Sequence, residues 1–362
     1  MNLLLIIGTR PNFIKVTKFK EVASNYPNIN LKIVHTGQHY DTTMADIFFT
    51  QFNLIPDYFL NVGAGSPNFQ IADIMLKLEE LINTKFKPNL IVVVGDVNST
   101  LAGALTANKL NIKLAHIESG LRSFDNTMPE EHNRVLTDKI CDLYFVTEPS
   151  GLENLKKDGV EEDRIKFVGN TMIDTLVAFS DKIEKADVLE KLELTTKEFV
   201  LTTIHRPATV DFEEELNKLI QLFKSITKKH KVVFPIHPRT VSNLKKFNLY
   251  ESLIQNENII ITEPLDYFSF QKLIKHSKFI ITDSGGIQEE STFLQVPCLT
   301  LRNNTERPIT CTEGTNTLVK FDVQEISKLI LQIENDIYKK GRIPELWDGH
   351  ATERIFSVLS NL

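Results

Sequence analysis

No apolar run in this sequence is longer than a single strand. The longest, Leu3 to Ile7 and Leu90 to Val94, fall far short of the roughly 20 residues that a membrane helix needs, so no segment is expected to span a bilayer. The N-terminus lacks the basic region and the longer apolar stretch of a secretion signal. Cysteine is scarce: Cys141, Cys298 and Cys311 include no C-x-x-C pair, and an odd count cannot close a disulfide framework. Cys141 and Cys298 sit in apolar surroundings and read as core thiols, so the chain reads as reduced and cytoplasmic. No G-x-G-x-x-G follows the first strand and no G-x-x-x-x-G-K-[ST] occurs, which disfavours ordinary dinucleotide binding and a P-loop. No H-E-x-x-H and no paired Cys/His spacing is present, so no protein-bound metal is expected. Positive charge is in deficit, with a net charge of −6 over 362 residues. That argues against nucleic acid as a partner and leaves room for a local anion pocket.

What is present is an ordinary globular mixture, 42% apolar and 24% charged, at a length that suits two or three domains. Strand and helix signals alternate from the first residue. Asn2–Ile7, Leu31–His35, Leu90–Val94, Lys113–Ile117, Leu143–Thr147 and Ile165–Phe167 read as strands. Helices are expected from Pro11 to about Asn25, over Phe69–Asn83, Asn98–Leu110 and Met128–Lys139. After a charged helical stretch, Gly169–Lys197, the alternation restarts with strands at Phe199–Thr203, Lys231–Pro235, Ile259–Ile261, Phe279–Thr282 and Cys298–Leu301. Repeated βα alternation implies parallel sheets covered by helices. The expected class is α/β, with two doubly wound Rossmann-like domains facing a cleft. The boundaries read as 1–170, 171–345 and a C-terminal helix, 346–362, that packs back across the domains.

The unusual polar residues gather just after predicted strands, where open α/β sheets bind ligands. They are Arg10, His35 to His39, Gly95-Asp96, His116 to Arg122, His205-Arg206, His237 to Arg239 and Asp283 to Gly286. Asp283-Ser284-Gly285-Gly286 leaves a strand and opens a helix. Its backbone N–H groups and the positive helix end suit a phosphate, although Asp283 or Ser284 would equally serve as an N-cap. Arg10, His205, Arg206 and Arg307 add donors near strand ends, which together fit a diphosphate. Asp96 and Glu118 each end a strand, and Glu130 and Glu131 open a helix after Pro129. Carboxylates crowded at adjacent strand ends suit general acid–base work. Arg122 and Lys15 are the candidate partners for these acids. The residues alone point to a cleft enzyme acting by proton abstraction or glycosyl chemistry on a nucleotide sugar.

Nine motifs occur in a familiar order. They are Gly8-Thr9-Arg10-Pro11, Thr36-Gly37-Gln38-His39, Gly95-Asp96, His116-Ile117-Glu118-Ser119-Gly120-Leu121-Arg122, Pro129-Glu130-Glu131-His132-Asn133-Arg134, Gly169-Asn170-Thr171-Met172-Ile173-Asp174, His205-Arg206, Asp283-Ser284-Gly285-Gly286-Ile287-Gln288-Glu289-Glu290 and Thr305-Glu306-Arg307-Pro308. Over about residues 3–320 the sequence resembles the non-hydrolysing UDP-N-acetylglucosamine 2-epimerases. The resemblance implies a GT-B-like fold and interconversion of UDP-GlcNAc and UDP-ManNAc. The reaction would run by anti elimination of UDP to a 2-acetamidoglucal and re-addition, with neither NAD nor metal. It implies a homodimer supplying a precursor of cell-envelope or capsular polysaccharide. By position, Asp96, Glu118 and Glu130 match the family's catalytic carboxylates, and His205 matches the histidine that supports the departing diphosphate. Arg10, Lys15, Phe270, Ser284, Gly285, Gly286, Glu290 and Arg307 match UDP or substrate contacts. Gln38 and His39 match a pair that holds an allosteric UDP-GlcNAc in some bacterial members.

The sequence departs from the family in places. Val97-Asn98-Ser99-Thr100 replaces three threonines, and His205-Arg206-Pro207-Ala208 replaces a His-Arg-Arg-Glu string. His237-Pro238-Arg239-Thr240 stands where a histidine followed by Asn-Pro is usual. The allosteric site also uses an arginine on the helix that here runs Phe69–Asn83, which has none and carries Ile74 instead. Dependence on an activator is therefore not expected, and a related UDP-sugar, such as a diacetamido-uronate or a deoxy sugar, stays open as substrate. The same residues are compatible with a hydrolysing epimerase, a glycosyltransferase of the same fold or a nucleotide-sugar-binding regulator.

Overall fold

Two parallel sheets organise the chain. The computed structural model describes residues 1–37 and 49–362. The first sheet contains β1 (Asn2–Ile7), β2 (Asn30–His35), β3 (Tyr58–Phe59), β4 (Leu90–Val94), β5 (Lys113–Ile117), β6 (Leu143–Val146) and β7 (Ile165–Phe167), ordered β3-β2-β1-β4-β5-β6-β7. The second contains β8 (Phe199–Thr203), β9 (Lys231–Pro235), β10 (Ile259–Thr262), β11 (Phe279–Thr282), β12 (Cys298–Leu301) and β13 (Asn316–Val319), ordered β10-β9-β8-β11-β12-β13. Every pairing is parallel. The strand order of each sheet reverses once, next to its first strand, at β1/β4 and at β8/β11. Each unit is thus doubly wound and Rossmann-like, the expected α/β class, and the crevice at such a reversal is where ligands of this fold bind.

The reason for this architecture is visible in the strands. All five residues of β4 are buried, which requires cover on both faces and hence crossover helices. The helix Pro67–Thr84 buries Ile74, Leu78, Leu81 and Ile82 in one cluster with Leu4, Ile6, Ile91 and Val93. In the second sheet, the helix Glu213–Ile226 sets Phe223 edge-on to Phe234, with ring centroids 5.3 Å apart. Each such side chain contributes about 1.5–3 kcal/mol on full burial. Cys141 and Cys298 are buried in these cores. Burial pushes the Cys141 thiol well above its ordinary value and the Cys298 thiol to about 11, so neither is an available nucleophile. Among the described residues, no helix is long and apolar enough to cross a membrane.

The chain divides into Met1–Ala178 together with Glu345–Leu362, and Phe179–Pro344. The helix Thr171–Ala178 therefore stays with the first unit, one helix beyond the expected boundary at 170. Its Thr175 hydroxyl donates to the Ile14 carbonyl and lies 2.6 Å from the Thr17 hydroxyl. Asp174, on the same helix, accepts from the Ala351 N–H at 3.0 Å and from the N–H and hydroxyl of Thr352, both at 2.6 Å. That carboxylate caps the C-terminal helix Ala351–Leu359. Trp347 Nε1 donates to the Thr147 carbonyl at 3.0 Å, and Phe356 meets Phe19 edge-on. The expected single helix from Pro11 to Asn25 is instead two, Arg10–Ile14 and Phe19–Ala23. Tight turns from Val16 N to Phe13 O and from Phe19 N to Val16 O interrupt it, where the β-branched pair Val16-Thr17 weakens helix propensity.

Candidate active site

The strand reversal of the first sheet carries a buried acid. Chain leaving β1 forms the one-turn helix Arg10–Ile14, whose C-cap is Lys15. Asn12 pins this helix to the sheet by donating to the Val94 carbonyl at 3.0 Å. Lys15 Nζ then reaches Glu118 Oε2 at 2.5 Å, with both side chains almost fully buried. The other oxygen, Glu118 Oε1, is buried without a hydrogen-bond partner. Glu118 also sits at φ +69°, left-handed backbone that a side chain rarely adopts and that clusters at functional sites. Gly95 packs directly on this pair. It lies at φ +68°, and a Cβ there would come within 3.4 Å of Glu118 Oε2 and 3.5 Å of Lys15 Nζ. The left-handed turn is what favours glycine there.

Asp96 follows at the end of β4. Its carboxylate is ion-paired with Arg134, which also binds Glu131 at 2.8 Å. Glu131 accepts from the Ser123 N–H at 2.8 Å, the Ser123 hydroxyl at 2.9 Å and the Phe124 N–H at 3.1 Å. So Glu131 is a buried brace for the loop after Glu118, whereas Glu130 is exposed in the first turn of the helix Pro129–Lys139. Arg122 is not the partner of Glu118. It binds Asp138 at 2.6 Å and Asp158 at 3.0 Å, and Lys15 takes Glu118 instead. The reason is the left-handed turn at Glu118, which sends the chain away from the helical i,i+4 path.

In the second unit, the loops after β8 and β11 meet at the other reversal. Asp283 Oδ2 accepts from the His205 N–H at 2.9 Å and the Arg206 N–H at 2.7 Å, and Oδ1 lies 3.1 Å from His205 Nδ1. Burial alone would raise the Asp283 carboxyl, but the His205 ring and these two N–H groups outweigh it and hold it low. The capping reading of Asp283 and Ser284 is thereby corrected. The helix Gly286–Phe293 has Gly285 as its N-cap residue with no side-chain cap, because Asp283 is turned towards the β8 loop. The positive end of that helix is left for another acceptor. The His205 ring, two-fifths exposed, lies 5.6 Å from that of His237. Burial and the neighbouring His205 push His237 down.

Arg307 is buried beside Gly285, bound to Glu306 and, at 2.6 Å, to Glu289. A Cβ on Gly285 would come within 2.9 Å of Glu306 Oε1 and 3.3 Å of Arg307 Nη1. Glu290 is buried on the same helix, and Ser284 is half-buried, its N–H donating to Thr282 Oγ1 at 3.0 Å. Phe270, on the helix Tyr267–His276, packs partly buried against the neighbouring core. Arg10 is half-buried at the start of its helix. Gln38 and His39 lie outside the described residues. Ile74, at the position of the missing arginine, is fully buried in the core. Reading the sequence alone passes over Asp138 and gives no role to Arg134 or His116. Asp138 shares the buried face of its helix with Glu131 and Arg134, at spacings of three and four residues, and that placement of charges on a core-facing stripe is the signal that could have found it.

The likeness to known proteins runs the length of the chain. The family model for UDP-N-acetylglucosamine 2-epimerase matches residues 21–360. A UDP-N-acetylglucosamine 2-epimerase homolog from Methanococcus maripaludis is 42% identical, with 100% of each chain covered. A UDP-2,3-diacetamido-2,3-dideoxy-D-glucuronate 2-epimerase from Pseudomonas aeruginosa is 36% identical over 88% of each. The crystal structure of Methanocaldococcus jannaschii UDP-GlcNAc 2-epimerase in complex with UDP-GlcNAc and UDP superposes with a TM-score of 0.89, at 40% identity and 100% coverage of both chains.

Proposed function

The chain belongs to the UDP-N-acetylglucosamine 2-epimerase family, and from that premise we propose that it interconverts UDP-GlcNAc and UDP-ManNAc without releasing free sugar. The observation that carries this reading is Glu118: a buried carboxylate fixed through one oxygen by Lys15, with its other oxygen unbonded. A buried acceptor left open is costly, and on a carboxylate it leaves an oxygen available to take a proton. The proposed reaction starts when a carboxylate of the first unit, Glu118 or Asp96, takes the sugar C2 proton. The C2–H electrons become the C1=C2 double bond, and the C1–O bond to UDP breaks with its electrons on the diphosphate. The return step adds UDP to C1 and a proton to the opposite face of C2. Glu130, exposed at its helix start, is the third carboxylate of the set.

The second unit supplies the groups for UDP. His205, Arg206, Ser284 and the uncapped Gly285-Gly286 helix end offer donors to the charge that develops on the leaving diphosphate. Arg307 and Glu290 complete the nucleotide contacts, Phe270 faces the base, and Arg10 and Lys15 contact substrate. We propose no cofactor. We further propose a homodimer in the cytoplasm that feeds polysaccharide synthesis. A second reading, a 2-epimerase of a UDP-diacetamido-uronate, is favoured by the Pseudomonas aeruginosa relative.

The test is a proton NMR time course in deuterium oxide with UDP-GlcNAc alone. The expected result is UDP-ManNAc with deuterium at C2 of both sugars, no free ManNAc, and no need for an added activator. Asp96→Asn and Glu118→Gln should each stop C2 exchange. Full activity of both variants, or turnover without C2 exchange, overturns the mechanism. Turnover of the diacetamido-uronate alone moves the assignment to that sugar, and free ManNAc with UDP moves it to a hydrolysing enzyme.

A further inference from the structure

His116, the fourth residue of β5, is fully buried and takes no part in the scheme above. Its ring lies between two acceptors. Nε2 is 2.7 Å from the Gly95 carbonyl oxygen, and Nδ1 is 2.7 Å from Asp138 Oδ1. A carbonyl oxygen only accepts, so Nε2 must carry hydrogen. The other end depends on Asp138. Its Oδ2 accepts from the Gly120 N–H at 3.0 Å and from Arg122 Nη1 at 2.6 Å. Two donors on one oxygen, one of them the Arg122 guanidinium in a buried ion pair, are the setting of an ionised carboxylate. Beyond these stand Asp158, 3.0 Å from Arg122 Nη2, and Lys139, 3.8 Å from Asp158; the Cys141 thiol and the Tyr144 hydroxyl lie beside Asp138, and on the Nε2 side the Lys15–Glu118 pair packs on Gly95. An ionised Asp138 has no proton to give, so Nδ1 must also donate.

We propose that His116 is a buried imidazolium, donating from both ring nitrogens, and that it acts as the positioning residue for Asp96 and Glu118. What it positions rests on the function proposed above. Three connections make the case. The Gly95 carbonyl belongs to the peptide that leads into Asp96, so Nε2–H fixes the turn from which that carboxylate projects. Gly95 in turn packs against the Lys15–Glu118 pair. Asp138, held by Nδ1–H, grips the Gly120 N–H two residues beyond Glu118. A left-handed Glu118 is strained backbone and persists only where its surroundings over-determine it. The doubly bonded ring ties both sides of that residue.

The protonation state can be read directly. In protein labelled with 15N-histidine, the His116 ring, identified as the signal lost in His116→Gln, should show two protonated nitrogens at neutral pH. One unprotonated ring nitrogen overturns the proposal. For the positioning role, His116→Gln keeps a donor near Nε2 and loses the Nδ1 donor and the charge. It should lower kcat by roughly 100-fold, the scale of a 1 Å misplacement, while KM and UDP affinity stay unchanged. An unchanged kcat, or a loss of UDP affinity that matches the loss of kcat/KM, overturns it. The nitrogen spectrum needs no turnover. A wild type that leaves UDP-GlcNAc untouched refutes the assigned reaction and leaves the ring's state to be decided by the spectrum.

Discussion

Replacing Lys15 by methionine should cost far more stability than a lysine on a helix end ordinarily does. The side chain is 5% exposed and its partner Glu118 2%, at 2.5 Å. Removing one member of a buried pair leaves the other charge uncompensated, a loss of about 3–5 kcal/mol. An exposed pair is worth only about 0–1 kcal/mol. Glu118→Gln leaves the lysine buried alone and should cost a similar amount. The double variant Lys15→Met/Glu118→Gln removes both charges at nearly constant volume. Replacement of a buried pair by neutral groups of similar size is often neutral, so the double variant should recover most of the loss. With each single near the lower end of that range and the double losing about 1 kcal/mol, the cycle gives a coupling of about 5 kcal/mol, above the roughly 0.5–3 kcal/mol usual for residues in contact. The single tryptophan makes the assay specific. Trp347 is buried in the unit that holds the pair, so its fluorescence during urea unfolding follows that unit in all four proteins. A Lys15→Met loss below about 1 kcal/mol, or a double variant no more stable than the singles, would show that the pair is not a buried interdependent unit.

Two other consequences are open to measurement. Asp283 is held below its ordinary 3.8, because the His205 ring and the N–H groups of His205 and Arg206 outweigh the opposing effect of burial. The folded chain therefore releases this proton more readily than the unfolded one. Its contribution to stability is complete above about pH 4 and is lost as the pH falls through the folded value. Urea unfolding followed by circular dichroism should show that acid loss, and Asp283→Asn should flatten it; equal slopes for the two proteins refute the assignment. Asp174→Ala removes the acceptor for three donors at the start of the C-terminal helix. It should destabilise by about 2 kcal/mol and speed amide exchange in residues 351–359 before the rest of the unit opens. Unchanged exchange there would mean that the helix is held by its apolar face alone.

The fold was legible where burial is two-sided. Strands such as β4 announce themselves because parallel strands covered on both faces have no polar positions to confuse the pattern. The short edge strands β3 and β13 did not. β3 has only two residues, and β13 begins with Asn316, whose fully buried amide donates to Gln288 and Thr310. A polar residue satisfied by tertiary partners cannot be distinguished in sequence from a loop. The break after Ile14 was hidden because two β-branched residues, Val16 and Thr17, are only a weak signal against helix; there the Ile14 carbonyl accepts from Thr175, 161 residues away. The site was legible as a set of residue types following strands, but the pairing inside it was not. Sequence spacing favours Arg122 as the neighbour of Glu118. The left-handed turn removes that neighbour, and Lys15 arrives from a different strand connection.

Protonation state lay further out of reach, as two histidines near strand ends show. His35 and His116 are both buried on the first sheet. His35 Nδ1 accepts the Gly37 N–H at 3.0 Å, and burial pushes its pKa down to about 4, so its ring is neutral. His116 faces only acceptors along its two bonds. The same residue type, buried on the same sheet, is thus given opposite work by its partners: a loop N–H in one place, a backbone carbonyl and a side-chain carboxylate in the other. The neutral ring closes the β2 turn. The charged one joins the turns after β4 and β5, where Asp96 and Glu118 stand. Strain at Glu118, its open oxygen and the charge on His116 each cost folding energy, and all three fall at the strand reversal of one sheet. A core selected for stability alone has no reason to concentrate them there, whereas a site that must present a fixed, incompletely bonded carboxylate does.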